Sequence, residues 1–207
     1  MIILFGGTFD PIHNGHLKLA LHIANQFKCK VDLLPLNGTP NYKPAPVASL
    51  KQRLEMLKLV VTMYPEQLQL NLSETEYPEY SPSYLTLSRL RAKYGKEECF
   101  FFIIGGDSLI SLNTWDNWQE LLKLTNFIVA MRPGYLVDNL DQEIAKHIAS
   151  LENYDPNISA GQIVITDFSP VDISSTKIRA NCKNNSTITK LIPALVYSYI
   201  IQNKLYQ

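Results

Sequence analysis

The chain has 207 residues, a length that suits one domain, and its 46% hydrophobic and 18% charged residues exclude a disordered or fibrous protein. Lys+Arg and Asp+Glu balance at 19 each, so no bulk field draws the protein to nucleic acid or an anionic membrane, and any anion site has to be local. Cys29, Cys99 and Cys182 are odd in number and contain no C-x-x-C pair, which speaks against a disulfide framework or a zinc site.

The run Ile2-Ile3-Leu4-Phe5 ends at Gly6-Gly7 and reads as a buried strand breaking into a turn. A helix is expected from about Asn14, with Leu17, Leu21, Ile23, Ala24 and Phe27 at helical spacing. Residues 31–36 read as a second strand, and 37–46, with Gly38 and three prolines, as a loop. Val47, Leu50, Leu54, Leu57 and Val61 mark an amphipathic helix. Residues 68–72 alternate like a strand, and a helix is expected after Ser81-Pro82-Ser83, stopped by Gly95. The most apolar run, 100–104, ends in Gly105-Gly106 and reads as a central strand. Helix is expected over 115–124, strand over 127–131, helix over 140–151 and strand over 162–166. Two helices, about 174–181 and 188–202, complete the pattern.

Strands alternating with helices predict an α/β fold, Rossmann-like and doubly wound, with a mainly parallel sheet covered on both faces. The chain reads as one domain over 1–207, with a helical segment from about 173 to 207. No apolar run approaches the roughly 20 residues of a membrane span, and no positive segment precedes the first strand, so a cytoplasmic protein without membrane contact is expected. Cys29 and Cys99 flank apolar strands and read as buried thiols.

Ligands of such sheets lie beyond the carboxyl ends of the strands, which directs attention to two motifs. The first is Gly6-Gly7-Thr8-Phe9-Asp10-Pro11-Ile12-His13-Asn14-Gly15-His16. Its glycines allow a sharp turn. The helix that follows offers unpaired N–H groups and the positive end of a dipole to a phosphate. His13 and His16 share one helical face, and Gly15 leaves room for a ligand against the backbone. H-x-G-H is not the zinc motif H-E-x-x-H, and neither G-x-G-x-x-G nor G-x-x-x-x-G-K-[ST] occurs. That speaks against a metalloprotease, a dinucleotide-binding dehydrogenase and a Walker-type NTPase. The second motif is Ile173-Ser174-Ser175-Thr176-Lys177-Ile178-Arg179. Its hydroxyls and free N–H groups open a helix, and Arg179 one turn later can fork onto phosphate oxygens. Ser-Ser-Thr alone is an ordinary helix cap. Together the two motifs fit the two ends of a polyphosphate.

The pair G-G-x-F-D-P-x-H-x-G-H and I-S-S-T-x-I-R resembles the HxGH nucleotidyltransferases, and within them the bacterial nicotinate mononucleotide adenylyltransferases. The resemblance extends to Ile104-Gly105-Gly106-Asp107-Ser108-Leu109, Thr114-Trp115, Arg132-Pro133-Gly134-Tyr135 and the ending from Leu191-Ile192-Pro193 through Tyr206. It implies adenylyl transfer from ATP to nicotinate mononucleotide, with Mg²⁺ carried on the substrate and no metal held by protein ligands. It further implies catalytic roles for His13, His16 and Arg179, with His16 at the α-phosphate. ATP would be bound by Gly7, Thr8, Phe9, Gly105, Asp107, Ser175 and Thr176. The acceptor would meet Lys43, Tyr84, Leu85, Trp115 and Asp116, with Trp115 stacking on the pyridine ring. The chain departs from the family in three places: Leu85 follows Tyr84, Asp116 follows Trp115, and Thr39-Pro40-Asn41-Tyr42-Lys43 replaces the usual P-P-H-[KR] loop. Asp116 is expected to point to solvent, because a carboxylate facing the acceptor would repel it. Two alternatives stand beside this reading: another adenylyl- or cytidylyltransferase of the superfamily, and a nucleotide-binding module without catalysis.

Overall fold

The computed structural model describes residues 1–40, 44–131, 140–183 and 188–207. Seven strands are β1 (Ile2–Gly7), β2 (Val31–Pro35), β3 (Leu68–Leu70), β4 (Phe100–Gly105), β5 (Asn126–Ala130), β6 (Ile148–Ala149) and β7 (Ile163–Thr166). Eight helices are α1 (Asn14–Phe27), α2 (Leu50–Met63), α3 (Ser83–Tyr94), α4 (Gly106–Ile110), α5 (Trp118–Leu124), α6 (Gln142–Ala145), α7 (Ser175–Lys183) and α8 (Ala194–Gln202). The strands form a Rossmann-like parallel sheet in the order β3-β2-β1-β4-β5-β7-β6.

The chain divides into two compact units. One comprises Met1–Gly6 with Ser81–Pro170, the other Gly7–Tyr80 with Val171–Gln207. In the first, β4 is the centre: Phe100 and Phe101 are fully buried, and β4 pairs with β1 from Ile2↔Phe100 and with β5 from Phe101↔Asn126. A strand buried on both faces has no polar side to alternate with, so it reads as a continuous apolar run. Arg91, buried in α3, donates to the carbonyls of Leu124, Gly95, Lys96, Glu98 and Ser159 and so satisfies the polar backbone at the amino end of this sheet. In the second unit, α1 buries Leu17, Ala20, Ile23, Ala24 and Phe27, and α2 buries Met56, Leu57 and Val60.

Several elements differ from the sequence pattern, each for a tertiary reason. The helix expected over 140–151 is a single turn, α6, capped by Asp141 accepting from the Glu143 N–H. The next residues leave the helix to form β6, because Ile148 pairs with Ile163 and the His147 carbonyl accepts from the Ile163 N–H. Trp115 is not helical: it ends a 3₁₀ turn (Leu112–Thr114) in extended conformation, and α5 begins only at Trp118. The last helix starts at Ala194, after Pro193. The helix expected from Val47 starts at Leu50, after extended Ser49, which forms a capping box with Gln52, while the amides of Val47 and Ala48 ahead of it donate to Asp10. Cys99 is buried as expected, whereas Cys29 is half-exposed.

Candidate active site

Most of the phosphate-binding candidates lie in the unit of residues 7–80 and 171–207. Beyond β1 the chain turns through Gly7, Thr8 and Phe9. Gly7 O accepts from the Leu36 N–H at 2.9 Å, and the buried Arg53 guanidinium donates through Nη1 to Thr8 O at 2.8 Å and Leu36 O at 2.9 Å. Phe9 is buried with φ 49°, a left-handed conformation that a non-glycine residue holds only under constraint. Asp10 follows, 3% exposed. Its carboxylate accepts from the N–H groups of Val47 (2.8 Å) and Ala48 (3.1 Å) and from the Tyr206 hydroxyl (2.8 Å).

His13 caps α1 with its ring. Its Nδ1 accepts from the His16 N–H at 3.2 Å, and His16 Nδ1 accepts from the His13 N–H at 3.3 Å, a reciprocal box built from two imidazoles. The rings stack with centroids 3.6 Å apart at 14°, and Phe9 meets His16 edge-on at 5.2 Å. Because Nδ1 is an acceptor in both rings, each neutral imidazole carries its proton on Nε2 and presents Nε2–H as a donor. Burial lowers the His13 pKa to about 4. Burial, then the charge of His13, holds His16 well below its ordinary value. Both rings are therefore neutral at pH 7 and donate without carrying charge.

Two expectations about this helix start are corrected. Two of its N–H groups are not left open: Asn14 N–H donates to Leu191 O at 2.9 Å and His16 N–H to the His13 ring. Nor does Gly15 make room for a ligand. A Cβ there would lie 3.0 Å from His13 Nδ1, so the missing side chain makes room for the His13 ring.

At the start of α7, Ser174 Oγ accepts from the Lys177 N–H as a helix cap does. The Ser175 hydroxyl donates to Pro11 O at 2.9 Å, tying the second motif to the first, and Thr176 is exposed. Arg179 donates through Nη1 to Asp10 O at 2.7 Å and through Nη2 to Thr176 Oγ1 at 3.4 Å, and Nη1 lies 3.7 Å from Asp10 Oδ2. Ser175 and Arg179 are thus tied, through the Pro11 and Asp10 carbonyls, to the turn that leads into His13 and α1.

The remaining candidates belong to the unit of residues 1–6 and 81–170. Gly105 is exposed at the carboxyl end of β4, and the space where its Cβ would project is open. Asp107 is exposed in the first turn of α4. Tyr84 is half-buried and Leu85 exposed in the first turn of α3. Trp115 is half-buried, and Asp116 is exposed. Lys43 and Arg132-Pro133-Gly134-Tyr135 lie outside the described residues. Among the described residues, no helix is long and apolar enough to cross a membrane.

Three residues of this architecture were given no role in the sequence: Arg53 and, although within resembling segments, Asp10 and Tyr206. Arg53 follows an apolar helix pattern and looks like a solvated charge. Tyr206 is 196 positions from the carboxylate it serves. The one available signal was an Asp followed by Pro in a loop that otherwise offers donors to an anion.

Fold and site together define a nucleotidyltransferase. A family model described as cytidylyltransferase-like matches residues 4–181. The chain is 36% identical over 212 residues to a protein of Legionella pneumophila (strain Paris) named probable nicotinate-nucleotide adenylyltransferase, covering 100% of this chain and 99% of that relative. It is 38% identical over 210 residues to one of Yersinia pestis (strain Pestoides F) with the same name, covering 99% and 94%. The fold matches that of Plasmodium falciparum nicotinic acid mononucleotide adenylyltransferase, solved in complex with NaAD, with TM-score 0.76 at 21% identity over 99% of this chain and 96% of that one. The chain belongs to the cytidylyltransferase-like family and, within it, to the nicotinate-nucleotide adenylyltransferases.

Proposed function

We propose that the protein transfers the adenylyl group of ATP to nicotinate mononucleotide, releasing pyrophosphate and forming nicotinate adenine dinucleotide, a step of NAD biosynthesis. Family membership supports this reading, and one observation of the site carries it: the stacked, neutral His13–His16 pair follows directly on the Asp10–Pro11 turn whose carbonyls hold Arg179 and Ser175.

The 5′-phosphate of the acceptor is an anion at neutral pH and is already a nucleophile, so the reaction asks for positioning and charge stabilisation more than for a base. Two imidazoles with pKa values far below 7 are poor proton carriers but good fixed donors. In this reading His16 Nε2–H donates to the α-phosphate, whose oxygens gain charge as the new bond forms. Arg179, Ser175 and Thr176 hold the departing β- and γ-phosphates, and Gly7, Thr8 and Phe9 line the nucleotide through their backbone. Gly105 approaches the adenosine closely, and Asp107 accepts from its ribose hydroxyls. Tyr84, Leu85, Trp115, Asp116 and Lys43 surround the acceptor.

The donor set around the Asp10–Pro11 turn suits an anion and not a protein-held cation. In residues 7–80 and 171–207 it consists of imidazole N–H, guanidinium and hydroxyl groups, and both oxygens of the Asp10 carboxylate at its centre are already taken. Mg²⁺ therefore enters on the ATP phosphates, where it would neutralise part of their charge.

The test is pyrophosphate release from ATP against a panel of acceptor phosphates. Turnover is expected with nicotinate mononucleotide, at a kcat/KM roughly ten- to a hundredfold above that for the amide, because an amide NH₂ facing a buried N–H leaves a donor unpaired. Turnover with phosphopantetheine or a choline phosphate in its place, or tight ATP binding without any turnover, overturns the reading.

A further inference from the structure

We propose that Tyr206 is a positioning residue for Arg179, acting through the Asp10 carboxylate, so that a side chain beyond α8 governs how the enzyme holds the pyrophosphate end of ATP. The proposal rests on the adenylyl transfer proposed above.

The geometry carries it. Asp10 is buried and faces several groups at once: the amides of Val47 and Ala48, the Tyr206 hydroxyl at 2.8 Å, and Arg179 Nη1 at 3.7 Å from Oδ2. The Arg53 guanidinium, 2% exposed and bound to Thr8 O and Leu36 O, adds its field to the same carboxylate. Tyr206 is 4% exposed, with φ 65°, and Leu205 beside it is also buried, so the segment after α8 is folded inward against a conformational cost. Burial and the Asp10 charge push the Tyr206 phenol above its ordinary value, so it is always a donor.

Arg179 has two possible anions, Asp10 and a polyphosphate. At 3.7 Å its pairing with Asp10 is loose, because three neutral donors hold the carboxylate in place and disperse its charge. Removing the Tyr206 hydroxyl leaves Oδ1 one donor short. Asp10 then turns toward Arg179 and closes a tight ion pair, and the guanidinium is withheld from phosphate.

The experiment is Tyr206→Phe in the full chain, in the parent and in an Arg179→Ala background, with the affinity for Mg-pyrophosphate read by calorimetry. In the parent background binding should weaken roughly three- to tenfold while the acceptor KM stays within twofold. In the Arg179→Ala background the same substitution should change little, since a residue that acts through another has no effect once that other is gone. Equal losses in both backgrounds, or an unchanged affinity accompanied only by a lower melting temperature, overturns the proposal. Asp10→Asn keeps the shape and removes the charge. It is the second variant should Tyr206→Phe lose its cooperative thermal transition, and it too has to alter pyrophosphate affinity through Arg179. A parent protein that binds neither ATP nor pyrophosphate refutes adenylyl transfer itself, a failure visible before any variant is compared.

Discussion

The two compact units hold their candidate residues in opposite ways. In residues 7–80 and 171–207, most phosphate-binding side chains are engaged before any ligand arrives: His13 with His16, Ser175 with Pro11, Arg179 with Asp10. In residues 1–6 and 81–170, the adenosine and acceptor candidates stand at exposed ends of elements. Gly105 faces open space, Asp107, Leu85 and Asp116 are exposed, and Trp115 is half-buried. The contrast follows the chemistry each set would perform. Charge that develops in a transition state is stabilised best by donors that need no reorganisation. A ribose or pyridine ring is recognised by surfaces that close over it, and stacking tolerates some looseness.

That division is open to direct attack. The largest effect is expected for His16→Ala, which should lower kcat about 10²–10³-fold, as loss of one preorganised donor does, while the KM for ATP changes much less. Steady-state kinetics checks it, and a near-parental kcat would remove His16 from the transition state.

The next concerns the cost of keeping the pair neutral. His13 titrates near 4 in the folded protein and near its ordinary 6.5 when unfolded. The unfolded chain therefore takes up the proton first, and stability that is present above pH 6.5 is lost as pH falls toward 4. The loss should approach roughly 3 kcal/mol. Asn at position 13 can still cap α1 without titrating, so urea denaturation of His13→Asn between pH 7 and 4 should lack that part of the slope.

Trp115→Ala probes the other unit. Loss of ring stacking should raise the KM for acid and amide acceptors alike, about ten- to a hundredfold, with pyrophosphate affinity unchanged. An equal loss of ATP binding would erase the proposed distinction between the two sets. The smallest effect is expected for Arg179→Lys, about tenfold in pyrophosphate affinity, because an ammonium cannot fork onto two oxygens while also keeping the Asp10 carbonyl. Isothermal titration measures it directly, and an unchanged affinity would show that only the charge matters.

The amino-acid order alone was enough for six of the seven strands and for the two motifs on which the proposed chemistry rests, because both are written in local patterns. Apolar runs closed by glycine marked β1 and β4, helical periodicity marked α1 and α2, and two short motifs brought imidazoles, hydroxyls and a guanidinium to helix starts. Boundaries and partners were a different matter. Residues 148–149 became a strand because β7 offered an unpaired edge, and α2 begins at the Ser49 cap, with the amides ahead of it bound to Asp10. The helix start of α1 read as an anion site through its amides, yet those of Asn14 and His16 are occupied, and it also presents two imidazole Nε2–H groups set by mutual capping. Arg53, Asp10 and Tyr206 have no periodicity that could betray them. Their meeting depends on long-range folding that brings positions 196 apart within 2.8 Å, and a buried carboxylate acquires its partners only from whatever the fold places around it.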